Sequence, residues 1–365
     1  MNGAHSVLGT GPRLRSQGAF WIFWILVCGC ISFVGIEQAT YFAAYPGAWL
    51  LSIALLAVTA IPAGVIIYRL DQFEPEPGSL VAVAVVWGGV VAVTFSGITN
   101  QLTYAFLEHV ATAATLDQWA ASLIAPVNEE LYKGAGLVLL YLMARREFDG
   151  IMDGLVYGAM LGLGFQVAEN VQYFMIAAAG SGGDPEAVVN VFFIRVLLSG
   201  LYSHMLFTAF FGFGFAYFIT QRRKKMSIRL GALALGVSLA WVSHFVWNSP
   251  WLDSLMVRGD GGFAGALVIK GMPFLILLVL LATFANRRER QVFSLLLRSE
   301  VGGEVISRGE FYVLESGHRR AQALRRMRRE RFAGKTALFV DYGNVHHALS
   351  KARNHVSEAR FFSGL

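Results

Sequence analysis

Charge is scarce in this sequence. Only 15% of its 365 residues are Asp, Glu, Lys or Arg, whereas an ordinary soluble domain carries about 25%. Hydrophobic residues make up 55% of the chain and occur in long runs. A run of about 20 apolar residues is what a helix needs to cross the roughly 30 Å hydrocarbon core of a bilayer. The composition therefore argues against a soluble domain and indicates a polytopic integral membrane protein.

Cysteine is scarce as well. The two cysteines, Cys28 and Cys30, both lie in the first apolar run. Residues two apart on a helix point to different sides, so we interpret both as small hydrophobic residues, without a disulfide framework. The net charge of +6 is not a nucleic-acid signal, because the basic residues fall in loops and in the C-terminal tail. We therefore expect no nucleic-acid partner.

The predicted fold is all-α: a bundle of about eight transmembrane helices followed by a short cytoplasmic tail. Each span is an apolar run bounded by turn-forming or charged residues. The eight spans are predicted at residues 19–36, 49–70, 80–106, 121–143, 151–179, 191–219, 230–247 and 264–284.

Lysine and arginine are missing from alternate loops. The loops at residues 37–48, 107–119 and 180–190 contain neither residue, and the loop at residues 249–263 contains only Arg258. The intervening loops carry the basic residues. Because positively charged loops stay in the cytoplasm, this alternation predicts a multi-pass protein of the cell membrane with both termini in the cytoplasm.

Three regions follow from these patterns. Residues 1–18 are the predicted cytoplasmic N-terminus, residues 19–285 the membrane domain and residues 286–365 a basic cytoplasmic tail. We interpret the basic run at residues 319–331 as a solvated or lipid-headgroup-binding face. Residues 337–344 (ALFVDYGN) resemble the opening strand of NYN/PIN-type nucleases, but too few residues follow to complete such a domain. The segment is therefore interpreted as a possible truncated remnant.

Ionisable residues inside spans are expensive and are functional candidates by default. The fourth span contains Glu129, Glu130 and Lys133. Glu129 and Lys133 are four residues apart and share a helix face, so they can pair. The second adjacent carboxylate then has no lysine of its own, which favours a functional interpretation over a purely structural ion pair.

Three further spans carry one candidate each: Glu169, His204 and His244. Counted at 1.5 Å per residue, these residues and Glu129 fall in one slab of the membrane. Two imidazoles and one carboxylate form a ligand set for zinc, while a second carboxylate could act as general base and Asn248 could stabilise an oxyanion. The same residues could also activate water without a metal, and the residues alone leave both possibilities open.

Four motifs in successive spans together resemble the PrsW family of intramembrane proteases, which is similar to the CAAX prenyl endopeptidase and bacteriocin-processing group. An acidic, proline-containing segment at residues 71–77 adds to the resemblance. The motifs are Glu129-Glu130-x-x-Lys133, Phe165-x-x-x-Glu169, an isolated His204 and His244-x-x-x-Asn248.

The resemblance implies an intramembrane endopeptidase in the bacterial plasma membrane. It implies that Glu129 or Glu130 activates water, and that Glu169, His204 and His244 are ligands of a divalent metal, with zinc expected, or of the water. The CAAX branch has His where this chain has Glu169, which favours the PrsW branch. That branch is associated with membrane-anchored anti-sigma factors, so the expected partners are the lipid bilayer and a membrane-anchored protein substrate.

Two other functions are compatible with the same residues. Buried Glu, Lys and His serve as proton relays in cation-coupled transporters, although no internal repeat of the transporter type is visible. A non-catalytic scaffold could use the polar residues only to join helices. Other intramembrane proteases are disfavoured, because the sequence has no His-Glu-x-x-His, and no span contains Gly-x-Ser-Gly or Gly-x-Gly-Asp.

Overall fold

The computed structural model describes residues 18–73, 75–198, 200–251, 262–298, 301 and 307–332. The nuclease-like segment at residues 337–344 lies outside this part of the chain. The described residues form helices that pack around one long central helix. In chain order the helices are α1 (Gly18–Ala44), α2 (Pro46–Tyr68), α3 (Gly78–Val86), α4 (Val93–Leu107), α5 (Ala113–Leu123), α6 (Ala125–Met143), α7 (Ile151–Gly180), α8 (Pro185–Val191), α9 (Ser203–Thr220), α10 (Met226–Asn248), α11 (Gly262–Arg298), α12 (Arg308–Leu314) and α13 (Gly317–Phe332).

Seven helices of the described part are long and apolar enough to cross a membrane. Helix α6 has 19 residues and carries the charged residues of the fourth predicted span, which lowers its hydropathy. Seven candidate spans are roughly consistent with the predicted eight, and the predicted all-helical membrane fold is confirmed. Two segments, Trp87–Ala92 and Phe192–Leu198, are π-helical; they interrupt the third and sixth predicted spans.

The central helix is α7. In its most apolar 18-residue window 89% of the residues are buried, against 17% for α1 and for α2. Glycines allow this burial because they let neighbouring backbones approach closely. A Cβ on Gly162 would overlap the backbone of His204 on α9, and one on Gly164 would overlap the backbone of Val85 on α3. Helix α7 can therefore place its side chains directly against α9 without a gap.

Several span boundaries differ from the predicted ones. The predicted span at 121–143 divides at Ile124 into α5 and α6, because Pro126 at the start of α6 cannot donate its backbone N–H within a continuous helix. The predicted span at 191–219 is broken before α9. Helix α11 does not end at residue 284 but continues to Arg298.

The predicted basic loops meet on one face of the bundle. Arg288 at the end of α11 donates to the side chain of Gln221 in the loop after α9. Arg320 on α13 donates to the backbone carbonyl of Gln72 in the loop after α2. Asp153 caps the start of α7 by accepting from the backbone N–H of Gly150 at 2.7 Å. The loops after α2, α6 and α9 therefore lie on the same side as the end of α11.

Candidate active site

A cavity of about 400 Å³ opens among α4, α5, α6, α7, α9 and α10. Five of the six predicted site residues line it. Glu130 is not among the lining residues, since it points from α6 towards α9 and α10. The five that reach the cavity are Glu129, Glu169, His204, His244 and Asn248.

Glu129, His204 and His244 offer ligand atoms that all lie within 4.8 Å of one another. Glu129 Oε2 is 3.7 Å from His204 Nδ1 and 3.8 Å from His244 Nε2. Tetrahedral zinc with bonds of about 2.0–2.1 Å separates its ligand atoms by roughly 3.4 Å. One carboxylate oxygen and two imidazole nitrogens therefore have the chemistry and the spacing to hold a divalent metal ion.

The second nitrogen of His244 is held by a carboxylate. His244 Nδ1 lies 3.1 Å from Glu130 Oε1. A carboxylate can only accept, so Nδ1 carries the proton and Nε2 presents its lone pair to the cavity. Glu130 Oε2 also accepts a hydrogen bond of 3.2 Å from Thr208 Oγ1. These contacts orient the His244 ring with its unprotonated nitrogen towards Glu129.

His204 has the same arrangement with a different carboxylate. Lys133 Nζ lies 3.1 Å from His204 Nδ1, and since ammonium can only donate, Nδ1 is the acceptor. The proton is then on Nε2, which is 2.9 Å from Glu169 Oε2. Each imidazole thus has one nitrogen against a carboxylate and the other directed to the Glu129 side, as in carboxylate–histidine–metal pairs.

Lys133 is fully buried, with an exposed fraction of 0%. Its ammonium group is 2.7 Å from Glu130 Oε1 and 3.5 Å from Glu129 Oε2. It also lies 4.1 Å from the centre of the Phe165 ring. The lysine therefore supplies positive charge at the place where the carboxylates of α6 converge. A metal ion bound to His204 Nδ1 would displace the lysine's hydrogen bond, because that nitrogen has a single lone pair.

Arg195 is a charged residue of the site that the sequence analysis did not single out. Its Nη2 lies 2.7 Å from Glu169 Oε2, and its Nε donates to Asn170 Oδ1 at 3.0 Å. The guanidinium carbon is 3.5 Å from the centre of the Tyr173 ring. Arg195 lies within the predicted span at 191–219. Its charge at membrane depth was the sequence signal that could have identified it as a site residue.

Aromatic rings pack against the two imidazoles, and both imidazoles are buried. The ring of Phe207 stacks on His244 with centroids 4.5 Å apart. The ring of Phe165 lies 5.0 Å from that of His204. The two imidazole rings are perpendicular, with centroids 5.1 Å apart. Such packing fixes the ring orientations and strengthens electrostatic interactions inside the site.

Asn248 lies one helical turn after His244 on α10. Its Nδ2 donates a hydrogen bond of 3.2 Å to the backbone carbonyl of Ala121 on α5. Ala121 also lines the cavity. The amide therefore reaches the cavity wall and joins α10 to the short helix α5.

Comparisons with known proteins place the chain in one protease family. A sequence profile described as "PrsW family intramembrane metalloprotease" matches residues 76–283. "Protease PrsW" of Geobacillus kaustophilus is 32% identical over 159 residues, which cover 43% of this chain and 63% of that protein. "Protease PrsW" of Oceanobacillus iheyensis is 24% identical over 163 residues, covering 45% and 64%. The chain thus spans less than two thirds of the length of these relatives. No solved structure matches it.

Proposed function

Because the chain belongs to the PrsW family of intramembrane metalloproteases, we propose that it hydrolyses a peptide bond of a membrane-anchored protein in the cavity described above. The observation that carries the proposal is the convergence of Glu129, His204 and His244 from three helices. A buried carboxylate, two oriented imidazoles and a nearby amide donor are the groups that peptide hydrolysis requires. The proposed location is the bacterial plasma membrane, because the relative is a bacterial protein and the helices are apolar enough to span a membrane.

Glu129 is the carboxylate that takes a proton from the attacking water in this proposal. It faces the cavity, whereas Glu130 is occupied by contacts with Lys133, His244 and Thr208. General acid–base catalysis then returns the proton to the leaving amine. Glu130 is assigned a positioning role, since it holds the His244 ring.

In the metal-dependent form of the proposal, a divalent metal fits the donor set and would be held by Glu129, His204 and His244, so that Glu129 would serve as a ligand in place of a general base. When bound, such an ion would polarise the scissile carbonyl and lower the pKa of water to near 7. Glu169, predicted as a ligand, is assigned instead to the support of His204, because its Oε2 faces the nitrogen that carries the proton and Arg195 occupies the same oxygen. Zinc is the proposed ion, since histidine and carboxylate ligands suit it.

Asn248 is proposed to donate to the oxyanion of the tetrahedral intermediate. The amide nitrogen carries two N–H groups, so one can keep the hydrogen bond with Ala121 O while the other donates to the substrate oxygen. The proposed substrate class remains a membrane-anchored protein such as an anti-sigma factor. The proposed topology places the basic face of the bundle, and both termini, in the cytoplasm.

The test is cleavage of co-expressed, tagged single-span membrane proteins. We expect Glu129→Gln to lower the cleavage rate by about 10²–10⁴-fold, the usual contribution of a general base. The control is Glu108→Gln, a substitution of an exposed glutamate at the end of α4. Gel filtration and thermal unfolding in detergent check that both variants are folded. Wild-type cleavage by folded Glu129→Gln protein would exclude the proposed base.

Metal analysis distinguishes the metal-dependent form of the mechanism from the form in which Glu129 activates water without a metal. After chelator treatment, added zinc is expected to raise the unfolding midpoint of the wild-type protein, because a ligand that binds only the folded state stabilises it. The rise should disappear in His244→Ala. An equal rise in both proteins would show that zinc binds elsewhere.

A further inference from the structure

A second large cavity lies at the end of the last candidate membrane span, where the end of α11 meets the end of α12. Its volume is about 570 Å³, and three arginines line it: Arg287, Arg290 and Arg298. All three side chains come from the last turns of α11. At 100° per residue they fall within an arc of about 80° on one face of the helix. The arginines therefore face the same space.

The cavity carries an excess of positive charge. Among the residues that the structure describes, none of the three arginines forms an ion pair. The carboxylate of Glu315 also lines the cavity, and it accepts a hydrogen bond of 3.2 Å from Ser294 Oγ. Three guanidinium groups against one carboxylate leave about two uncompensated positive charges, which favours an anion.

The guanidinium group indicates what kind of anion fits. Its planar set of donors matches the oxygens of a phosphate group, which it binds in pairs of hydrogen bonds. Arg287 and Arg290 are about 4.5 Å apart along the helix and can hold one phosphate from two sides, while Arg298, about 12 Å further along, adds positive charge at the other end of the cavity. Ser294 adds a hydroxyl group in the same cavity.

The position of the cavity indicates where the phosphate comes from. The candidate membrane span runs from Val268 to Leu295, and Arg287 follows the apolar residue Phe284 by only about 4.5 Å along the helix. Leu295 lines the cavity with 66% of its surface exposed. An exposed leucine beside arginines suits the boundary between acyl chains and headgroups, where basic residues meet anionic lipids.

We propose that this cavity binds the phosphate headgroup of an anionic phospholipid of the adjoining membrane leaflet. The headgroup would bridge the end of α11 to α12. The site is separate from the catalytic cavity and does not depend on the proposed protease activity. It depends only on α11 crossing the bilayer.

The experiment uses the full-length protein in micelles of a neutral detergent. Binding of fluorescent phosphatidylglycerol is compared with binding of phosphatidylcholine carrying the same label. The triple variant Arg287→Gln/Arg290→Gln/Arg298→Gln should bind phosphatidylglycerol about 100-fold more weakly, since each basic residue near an anionic surface contributes roughly fivefold. Phosphatidylcholine binding should be weak for both proteins.

A matched control removes three charges from another basic loop: Arg223→Gln/Lys224→Gln/Lys225→Gln. These residues are exposed in the loop between α9 and α10, and their loss should leave phosphatidylglycerol affinity within about twofold of wild type. An equal loss of phosphatidylglycerol affinity in both triple variants would show that net charge explains the effect, and it would overturn the proposed site. Unchanged affinity in the α11 variant would overturn it too.

Competition with inorganic phosphate distinguishes a phospholipid headgroup from a soluble phosphate compound as the ligand. At millimolar concentration it should displace little of the bound lipid, because the acyl chains and Leu295 add to the lipid's affinity. Displacement at micromolar phosphate would overturn the lipid assignment in favour of a soluble phosphate compound. Since the substituted arginines are exposed, the variants are expected to fold, and their gel-filtration profiles check this.

Discussion

Arg195 Nη2 and His204 Nε2 contact the same oxygen of Glu169, at 2.7 Å and 2.9 Å. The guanidinium group thus holds the carboxylate that holds the imidazole. This chain of contacts runs from the π-helical segment before α9 to the centre of the cavity. Arg195 is consequently a positioning residue for His204 in the proposed mechanism.

Replacing Arg195 tests that role. Arg195→Gln should lower kcat by about 10–100-fold, the usual cost of losing a partner behind a catalytic or metal-binding histidine, with a smaller change in KM. Arg195→Lys keeps the charge and should recover part of the loss. Steady-state cleavage kinetics measure both constants. A change in KM alone would instead assign Arg195 to substrate binding.

Lys133 is expected to be a major contributor to stability. Lys133→Met leaves the carboxylates of Glu129 and Glu130 buried without their cation, and breaking a buried ion pair in this way costs about 3–5 kcal/mol. Thermal unfolding in detergent, followed by tryptophan fluorescence, should show a lower midpoint.

Adding Glu130→Gln to Lys133→Met removes one of the two uncompensated charges. The double variant should therefore unfold at a higher temperature than Lys133→Met alone. If the second substitution lowers the midpoint further, the carboxylate of Glu130 is stabilised by groups other than the lysine.

Gly162 tests the close packing between α7 and α9. Alanine at this position would overlap the backbone of His204 and Met205, and overpacking of this kind costs about 1–3 kcal/mol. Gly162→Ala should lower both the unfolding midpoint and the cleavage rate, since His204 must shift. Gly231→Ala on α10 is the control, because a Cβ there meets no atom within 4 Å. Equal effects of the two substitutions would reject the packing explanation.

Glu76 gives the protein a pH-dependent stability outside the membrane spans. Burial raises the pKa of the Glu76 carboxyl well above its ordinary value, and the nearby carboxylates of Asp153 and Asp71 raise it further. Tyr157 donates a hydrogen bond to Glu76 and lowers the pKa in part, while Asp149 raises it slightly. The protonated form is therefore favoured by the folded state.

The sign of the effect follows from the raised pKa. The stabilisation is present below the pKa of the unfolded chain and is lost as pH rises through the higher pKa of the folded protein. Glu76→Gln, which stays neutral, should show a flatter decline of the unfolding midpoint from pH 5 towards pH 8 than wild type. Glu108→Gln should keep the wild-type slope. Parallel curves for Glu76→Gln and wild type would contradict the prediction.

The sequence was sufficient for the all-helical membrane fold and for the family, because apolar runs and charges at membrane depth are local signals. The profile match over residues 76–283 confirms the family resemblance drawn from the motifs. The orientation of Glu129 and Glu130 could not be predicted. Adjacent helical residues differ by only about 100°, and the packing of α9 and α10 decides which one faces the cavity.

Other features depended on contacts between distant segments. Before α9 the dipeptide Ser199-Gly200 interrupts a mostly apolar stretch. Such a dipeptide is a turn signal, but the average hydropathy of the span does not register it. Helix α11 continues to Arg298. The sequence of its last turns was interpreted as the start of a basic tail, because its charged residues resemble those of a solvated segment. The supporting role of Glu169 for His204 could be inferred only from the position of Arg195, and that position depends on the fold.

The proposed catalytic groups lie close to the ends of their helices, and this has a consequence for a transmembrane substrate of the proposed reaction. Glu129 is the fifth residue of α6, and His244 is the fifth from the end of α10. A peptide bond inside an intact helix has its carbonyl engaged with the next turn. Cleavage then demands only local unravelling of the outermost turns, so glycine or proline near that end of a substrate helix should favour scission, because both weaken helices.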